Sequence, residues 1–153
     1  SNRRQSVASS FSDSSVASAA VMAKLFQYVD AAALSHDDGS VERLSRCCVL
    51  GDRLQLAGPL LSEGELESDM RLKRALSASL RLLRMLMQHN HAPSHDVARF
   101  TAMASFGPLM GCFLGGRVVS FRLMGQASHV CSSGVQAASV MESFVGVSGS
   151  FLQ

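Results

Sequence analysis

His89, His91 and His95 fall within seven residues, and Asp96 follows the last of them. Imidazole and carboxylate groups are the donors that hold zinc and related metals. The spacing, however, sets the first two at the end of a helix and the third beyond Pro93, with no cysteine nearby. A metal needs its ligands on a rigid frame, so His89 and His91 read instead as partners of the helix's last carbonyls. Cys47 and Cys48 are adjacent, Cys112 and Cys131 stand apart in an apolar stretch, and there is no C-x-x-C. All four are expected to be reduced, buried small hydrophobes rather than zinc ligands or disulfide halves. The chain has no G-x-S-x-G, H-E-x-x-H, Walker A or G-x-G-x-x-G motif, the patterns that mark common catalytic frames. A Ser/His/Asp set can be assembled around Asp96, but so many serines supply one by chance, and His91 and His129 lack any haem-attachment motif. The expected role is non-catalytic, with no cofactor and no metal.

The elements that carry these residues divide the chain in two. From Thr101 to Gln153 the formal charges are Arg117, Arg122 and Glu142 alone. Within that third, Gly107, Gly111 and Gly115 recur every fourth residue along an apolar run. On a helix they form one smooth stripe where another backbone can approach closely. Arg99 and Arg117 bracket 17 uncharged residues, the short end of a membrane span, which needs about 20. Pro108 would kink such a helix. A second apolar helix over residues 123–141 would pack through Gly125, Ala127, Gly134, Ala137 and Ala138. Glycine-rich helices cost about 1 kcal/mol per glycine in water relative to alanine, so close partners or a membrane are expected around this hairpin.

The front carries nearly all the charge. A helix is expected over residues 16–34, broken at His36-Asp-Asp-Gly39, and a second over residues 41–57, ended by Gly58-Pro59. The third is the best defined. Ser62 and Glu65 fit a capping box, and Glu63, Glu65, Glu67 and Asp69 precede Arg71, Lys73, Arg74, Arg81 and Arg84, an order that suits the helix dipole. Glu67–Arg71 and Asp69–Lys73 can pair at i,i+4. Lys73, Arg74, Ser77, Arg81 and Arg84 share one face, and Leu72, Leu76, Leu83, Leu86 and Met87 the other, interrupted by Ser79. Another helix is expected from about His95, capped by Ser94.

Composition bounds the function. Hydrophobic residues make up 47% and charged residues 17%, the latter below the roughly 25% of an ordinary globular chain. A net charge of +2 is too small to argue for nucleic-acid binding. Trp is absent and the apolar residues are mostly Leu, Ala, Val, Met and Phe, a palette that favours helices. Residues 1–26 are rich in Ser and Ala, with Arg3, Arg4 and Lys24 against the single acid Asp13. That is the composition of an organellar transit sequence or of the stretch behind one.

This layout, a basic amphipathic helix followed by a glycine-zipper region, looks like that of peroxisomal and mitochondrial membrane-shaping or accessory proteins. The glycine stripe is similar to those of mitochondrial inner-membrane translocase channels, which have four spans where this chain has room for two. Phe151-Leu-Gln153 is similar to the residues before a viral chymotrypsin-like cysteine protease cut, which implies a polyprotein product with a membrane-active hairpin. The fold expected is all-α: a Ser-rich extension over residues 1–15, a helical bundle over residues 16–98 and an apolar, glycine-zipper helical hairpin over residues 99–153. The function expected first is a structural subunit of an organellar membrane complex, mitochondrial by its N-terminal composition. In it Gly107, Gly111 and Gly115 pack on a neighbouring helix, while Arg74, Arg81, Arg84, Arg117 and Arg122 meet acidic partners or lipid. The alternatives are a cytoplasmic helical adaptor that homo-oligomerises through its apolar third, and a membrane-remodelling protein acting through the basic helix.

Overall fold

The structure, a computed structural model, describes residues 18–32, 44–50, 52–58, 68–93, 98–138 and 143–149. The extension over residues 1–15, the capping box at Ser62 and Glu65, the acidic residues Glu63 and Glu67, the His95–Asp96 pair and the terminal Phe151-Leu-Gln153 lie outside the described residues. The fold is mixed α/β, and the all-α expectation is overturned: the described residues are about 49% helical and 26% strand. Helix α1 covers residues 18–32. Strands β1 (Ser45–Leu50) and β2 (Arg53–Ala57) follow, then helix α2 (Ser68–Asn90). Strands β3 (Ala102–Ala104), β4 (Met110–Leu114) and β5 (Ser120–Met124) lead into helix α3 (Gln126–Ala138) and strand β6 (Val145–Val147).

Helix α1 turns Val21, Leu25, Tyr28, Val29 and Ala32 toward the core, the i, i+4, i+7, i+8, i+11 spacing of one helical face. The helix expected over residues 41–57 is instead the antiparallel hairpin β1–β2, with Val49 opposite Leu54 and Ser45 opposite Ala57. Leu54 and Leu56 both pack against the core. Residues two apart lie on opposite sides of a helix but on one face of a strand, so this pair decides between the two. Leu50 pairs with Arg53 at the closed end of this hairpin.

Helix α2 is the backbone of the core. Ala75, Ala78, Leu82 and Leu86 are buried against Val29, Ala32, Leu44 and Phe100. The buried face is offset from the one expected: the small Ala75 and Ala78 sit at its centre, while Met87 is 46% exposed and Leu80 52% exposed beside the arginines. The alanines let neighbours approach closely. A side chain at Gly58 would lie 3.4 Å from Ala75 Cβ and 3.1 Å from Leu44 Cδ2. Arg46 of β1 pairs with Asp30 of α1, an exposed contact of the kind that contributes little.

The helix start expected at Ser94 and His95 lies outside the described residues; residues 98–101 carry no regular structure and β3 follows. Asn90 directs this course. Its side-chain Nδ2 donates to the Phe100 carbonyl at 2.7 Å, and the Phe100 amide donates to Asn90 Oδ1 at 2.8 Å. Both bonds are buried. Beside them Tyr28 Oη donates to His89 Nδ1 at 2.8 Å, and His89 Nε2 donates to the Ala98 carbonyl at 2.9 Å. A carbonyl only accepts, so this network fixes the proton on Nε2. His91 Nδ1 donates to the Met87 carbonyl at 2.7 Å, closing the end of the helix.

Strand β3 pairs in parallel with β6, Ala102 beside Val145 and Ala104 beside Val147. The chain between them forms β4, β5 and α3. The expected helical hairpin is therefore a β-hairpin followed by one short helix. Small residues of α3 do serve close packing, but against a strand: Met103 of β3 lies over Gly134, and Cys131 Sγ donates to the Met103 carbonyl at 3.4 Å. Ala127 and Ala138 are buried, whereas Ala137 is exposed. Gly125, between β5 and α3, has φ +128°, and a side chain there would come within 2.5 Å of the Pro108 carbonyl. No helix among the described residues is long and apolar enough to cross a membrane.

Removing the Asn90 side chain leaves the Phe100 amide and carbonyl buried without partners, at about 1–3 kcal/mol each. Asn90→Ala is expected to lower the unfolding free energy by about 2–4 kcal/mol in urea titration. A loss under 0.5 kcal/mol would mean that water replaces both bonds.

Candidate functional site

The described surface concentrates its apolar side chains in one place. Phe106, Leu109, Met110, Phe113, Leu114, Val118, Val119 and Met124 are all large and exposed, and they cluster on and around the β4–β5 hairpin. Among the described residues, Val49, Leu80 and Met87 are the other exposed large hydrophobics. Covering one such side chain fully stabilises by about 1.5–3 kcal/mol, so a cluster of eight left open is a large unused driving force. Patches of this kind mark interaction surfaces.

Strand geometry explains the arrangement. Met110 pairs with Met124, Gly111 with Leu123, Cys112 with Arg122, Phe113 with Phe121 and Leu114 with Ser120. Side chains alternate between faces along each strand. Met110, Cys112 and Leu114 share one face with Met124 and Arg122; Cys112 Sγ lies 3.4 Å from Met124 Sδ there. Gly111 and Phe113 share the other with Phe121 and Leu123. Leu123 is buried at the base, which anchors the hairpin, and the Phe121 ring occupies the space above Gly111. Phe113 and Phe121 meet edge to face, with centroids 5.2 Å apart. Phe113 itself is 74% exposed. The connection runs through Gly115, at φ +124°, a conformation that glycine adopts without steric cost. Val118, 82% exposed, and Arg117 project at the tip.

The residues expected to form the site are distributed as follows. Gly111 lies in β4 and Gly115 at its end, while Gly107 precedes the strand and faces Ala127. The helix that was to present them as a stripe does not form. Arg81 and Arg84 line one open groove of about 420 Å³ on α2, with Lys73, Leu76, Ser77 and Leu80. Arg74 is half-buried on α2 outside that groove, and both Arg74 and Arg81 already take part in contacts of their own. Arg117 and Arg122 belong to the hairpin, at its tip and in β5, far along the chain from α2. The five arginines thus fall into two groups. Sequence reasoning missed the hairpin although Gly115-Gly116, between Phe113-Leu114 and Val118-Val119, is a recognisable turn signal.

Among the described residues no three His, Cys, Asp or Glu side chains gather into a metal site. The four cysteines are free and half-buried rather than fully buried. Burial pushes the Cys131 thiol above its ordinary value of 9.0. Burial also raises Cys47, against an opposing hydrogen bond at the Ala57 backbone and with a smaller push from Cys48.

Two outcomes are expected. Gly111→Leu forces the Phe121 ring off the strand, an overpacking cost of about 1–3 kcal/mol; unchanged thermal stability would place the ring elsewhere. Cys131 is held as the neutral thiol, so its folded-state value lies above the unfolded one. Its contribution to stability is present below the unfolded value and is lost as pH rises through the folded one. At pH 8 alkylation of Cys131 by iodoacetamide should lag that of the urea-unfolded chain about tenfold or more, and equal rates would show an open thiol. No protein-family model, no curated protein and no solved structure matches this chain.

Proposed function

We propose that this chain is a non-catalytic docking subunit that binds other protein subunits through the β4–β5 hairpin. One observation carries the reading: eight exposed large apolar side chains gather on one anchored hairpin and the segment leading into it rather than scattering over the surface. Scattered exposed hydrophobics are ordinary, whereas a set gathered on one fixed frame is what a binding partner covers. The anchoring matters for affinity. Leu123 and the Phe121–Gly111 contact hold the strands before any partner arrives, so little ordering cost falls on binding. The Ser- and Ala-rich composition of residues 1–26 favours an organellar membrane complex, mitochondrial first, as the setting. The hairpin takes the role that the sequence had suggested for a helical stripe at Gly107, Gly111 and Gly115. Membrane remodelling through α2 is less favoured, because Arg74 and Arg81 on that helix are engaged in contacts within the chain.

The test uses two exposed residues at the hairpin tip. Val118→Ser with Val119→Ser removes apolar surface without touching the core, so stability should change by no more than about 0.5 kcal/mol at each site. In gentle native electrophoresis of extracts from its own cells, the full chain should migrate in a larger assembly and the double variant outside it. Retention of the double variant in that assembly would overturn docking through the tip.

A further inference from the structure

We propose that the open edge of β4 pairs antiparallel with β4 of a second copy, in register about Cys112, so that two hairpins join into one four-stranded sheet. The inference deepens the docking reading and rests on it, naming a second copy as one occupant of the hairpin. Among the described residues β4 pairs with β5 alone, while β5 also comes near β1. The edge that remains is Met110-Gly-Cys-Phe-Leu114, with no charge and no proline inside it. Strand edges left open in monomers usually carry lysine, proline or a bulge that blocks pairing, and β4 has none of these within its span. Pro108 before it and Gly115-Gly116 after it confine the overlap to these five residues.

The occupant follows from what each residue would face. A two-fold axis at Cys112 sets Met110 opposite Leu114 of the second copy and Gly111 opposite Phe113. Every cross-strand pair is then apolar, and each glycine meets an aromatic ring. On that face the ring of the second copy would lie beside Phe121, which already leans over Gly111. Charges stay apart. Arg122 neighbours Cys112 across β4–β5, so the two arginines would be three strand spacings apart, about 14 Å, beyond the screening length of about 8 Å in physiological salt. The two Arg117 tips would point to opposite ends of the sheet. An acidic partner would leave this uncharged edge unused.

Area sets the strength. In edge pairing the second copy covers Met110, Phe113 and Leu114 of β4 rather than the tip or β5; at about 60–120 Å² for a whole large side chain, and partly exposed as these three are, they offer roughly 200 Å² per copy and roughly 400 Å² for the pair before the backbone is counted. That is smaller than most specific interfaces, and the expected dimer is weak and reversible, with a dissociation constant on the order of 100 micromolar.

Sedimentation velocity of the full chain across a concentration series should show a monomer–dimer equilibrium. Leu114→Lys should raise its dissociation constant about tenfold or more by setting an ammonium opposite Met110. Register is read by cross-linking with copper phenanthroline in a Cys47→Ser, Cys48→Ser, Cys131→Ser background. Cys112 should then give a disulfide-linked dimer, since directly opposed strand residues fall within bridging distance. With Cys112→Ser and Leu114→Cys in that background, the two thiols would lie about 13 Å apart along the strands, and linkage should fall about tenfold or more. A chain that stays monomeric at hundreds of micromolar, or equal linkage at positions 112 and 114, overturns the pairing. A monomeric chain that still enters a larger assembly through Val118 and Val119 removes the pairing and leaves the docking reading. A dimer indifferent to Val118→Ser and Val119→Ser, with no larger assembly, keeps the pairing and removes docking on other subunits.

Discussion

The amide of Asn90 and the backbone of Phe100 form the contact on which the rest of this structure depends. Two buried hydrogen bonds hold the chain against α2 ten residues after it leaves that helix. Once Phe100 is fixed, its ring completes the core between α1 and α2, and the next residues are delivered as β3. The Tyr28–His89–Ala98 chain of hydrogen bonds lies alongside and ties α1 to the same junction. Buried polar contacts of this type specify one arrangement over its competitors because any other leaves donors unpaired at high cost. The apolar back of the protein is therefore positioned by a polar joint.

From that joint the division of labour follows. The front of the protein buries its apolar stripe: Val29 and Ala32 meet Ala75, Ala78, Leu82 and Leu86. The back does the opposite, keeping Met110, Phe113 and Val118 in solvent on a hairpin that Leu123 anchors. The core is built mostly on helix faces with a regular apolar spacing, whereas the exposed cluster lies on β4 and β5 and on the segments that lead into and join them. Of the clustered histidines, His89 bridges Tyr28 and Ala98 at the joint and His91 closes α2, while His95 lies outside the described residues.

Helix α2 was legible in the sequence because its charges and leucines repeat over many turns, although the buried face rotates toward Ala75 and Ala78, whose small size hides their role in packing. Helix α1 was legible from an unbroken run without glycine or proline. The first hairpin was not, because Val41, Leu44 and Cys48 fit helical spacing while only Leu54 and Leu56 betray a period of two. The glycine stripe misled for a geometrical reason. A spacing of four is close to one helical turn, and it is also twice the strand period, so Gly111 and Gly115 share a side in either structure. The site was legible only in part. Its residues lie within the stretch that composition marked as unusual, but the strand register that exposes Phe113 and covers Gly111 depends on Phe121, ten residues away. The Asn90–Phe100 contact was invisible, since a single asparagine near a helix end carries no periodic signal.

The parallel pair β3–β6 has a kinetic meaning. Its three rungs close a loop of about forty residues that contains the whole hairpin and α3, and the length-dependent part of that closure costs about 3 kcal/mol. Three residues of pairing, with Met103 seated on Gly134, carry much of that cost. Segments of this kind form late in folding and open before the core does. The three rungs do not act alone, since Gln55 Nε2 of β2 donates to Ser128 Oγ of α3 at 3.1 Å and so holds the same stretch to the front of the protein.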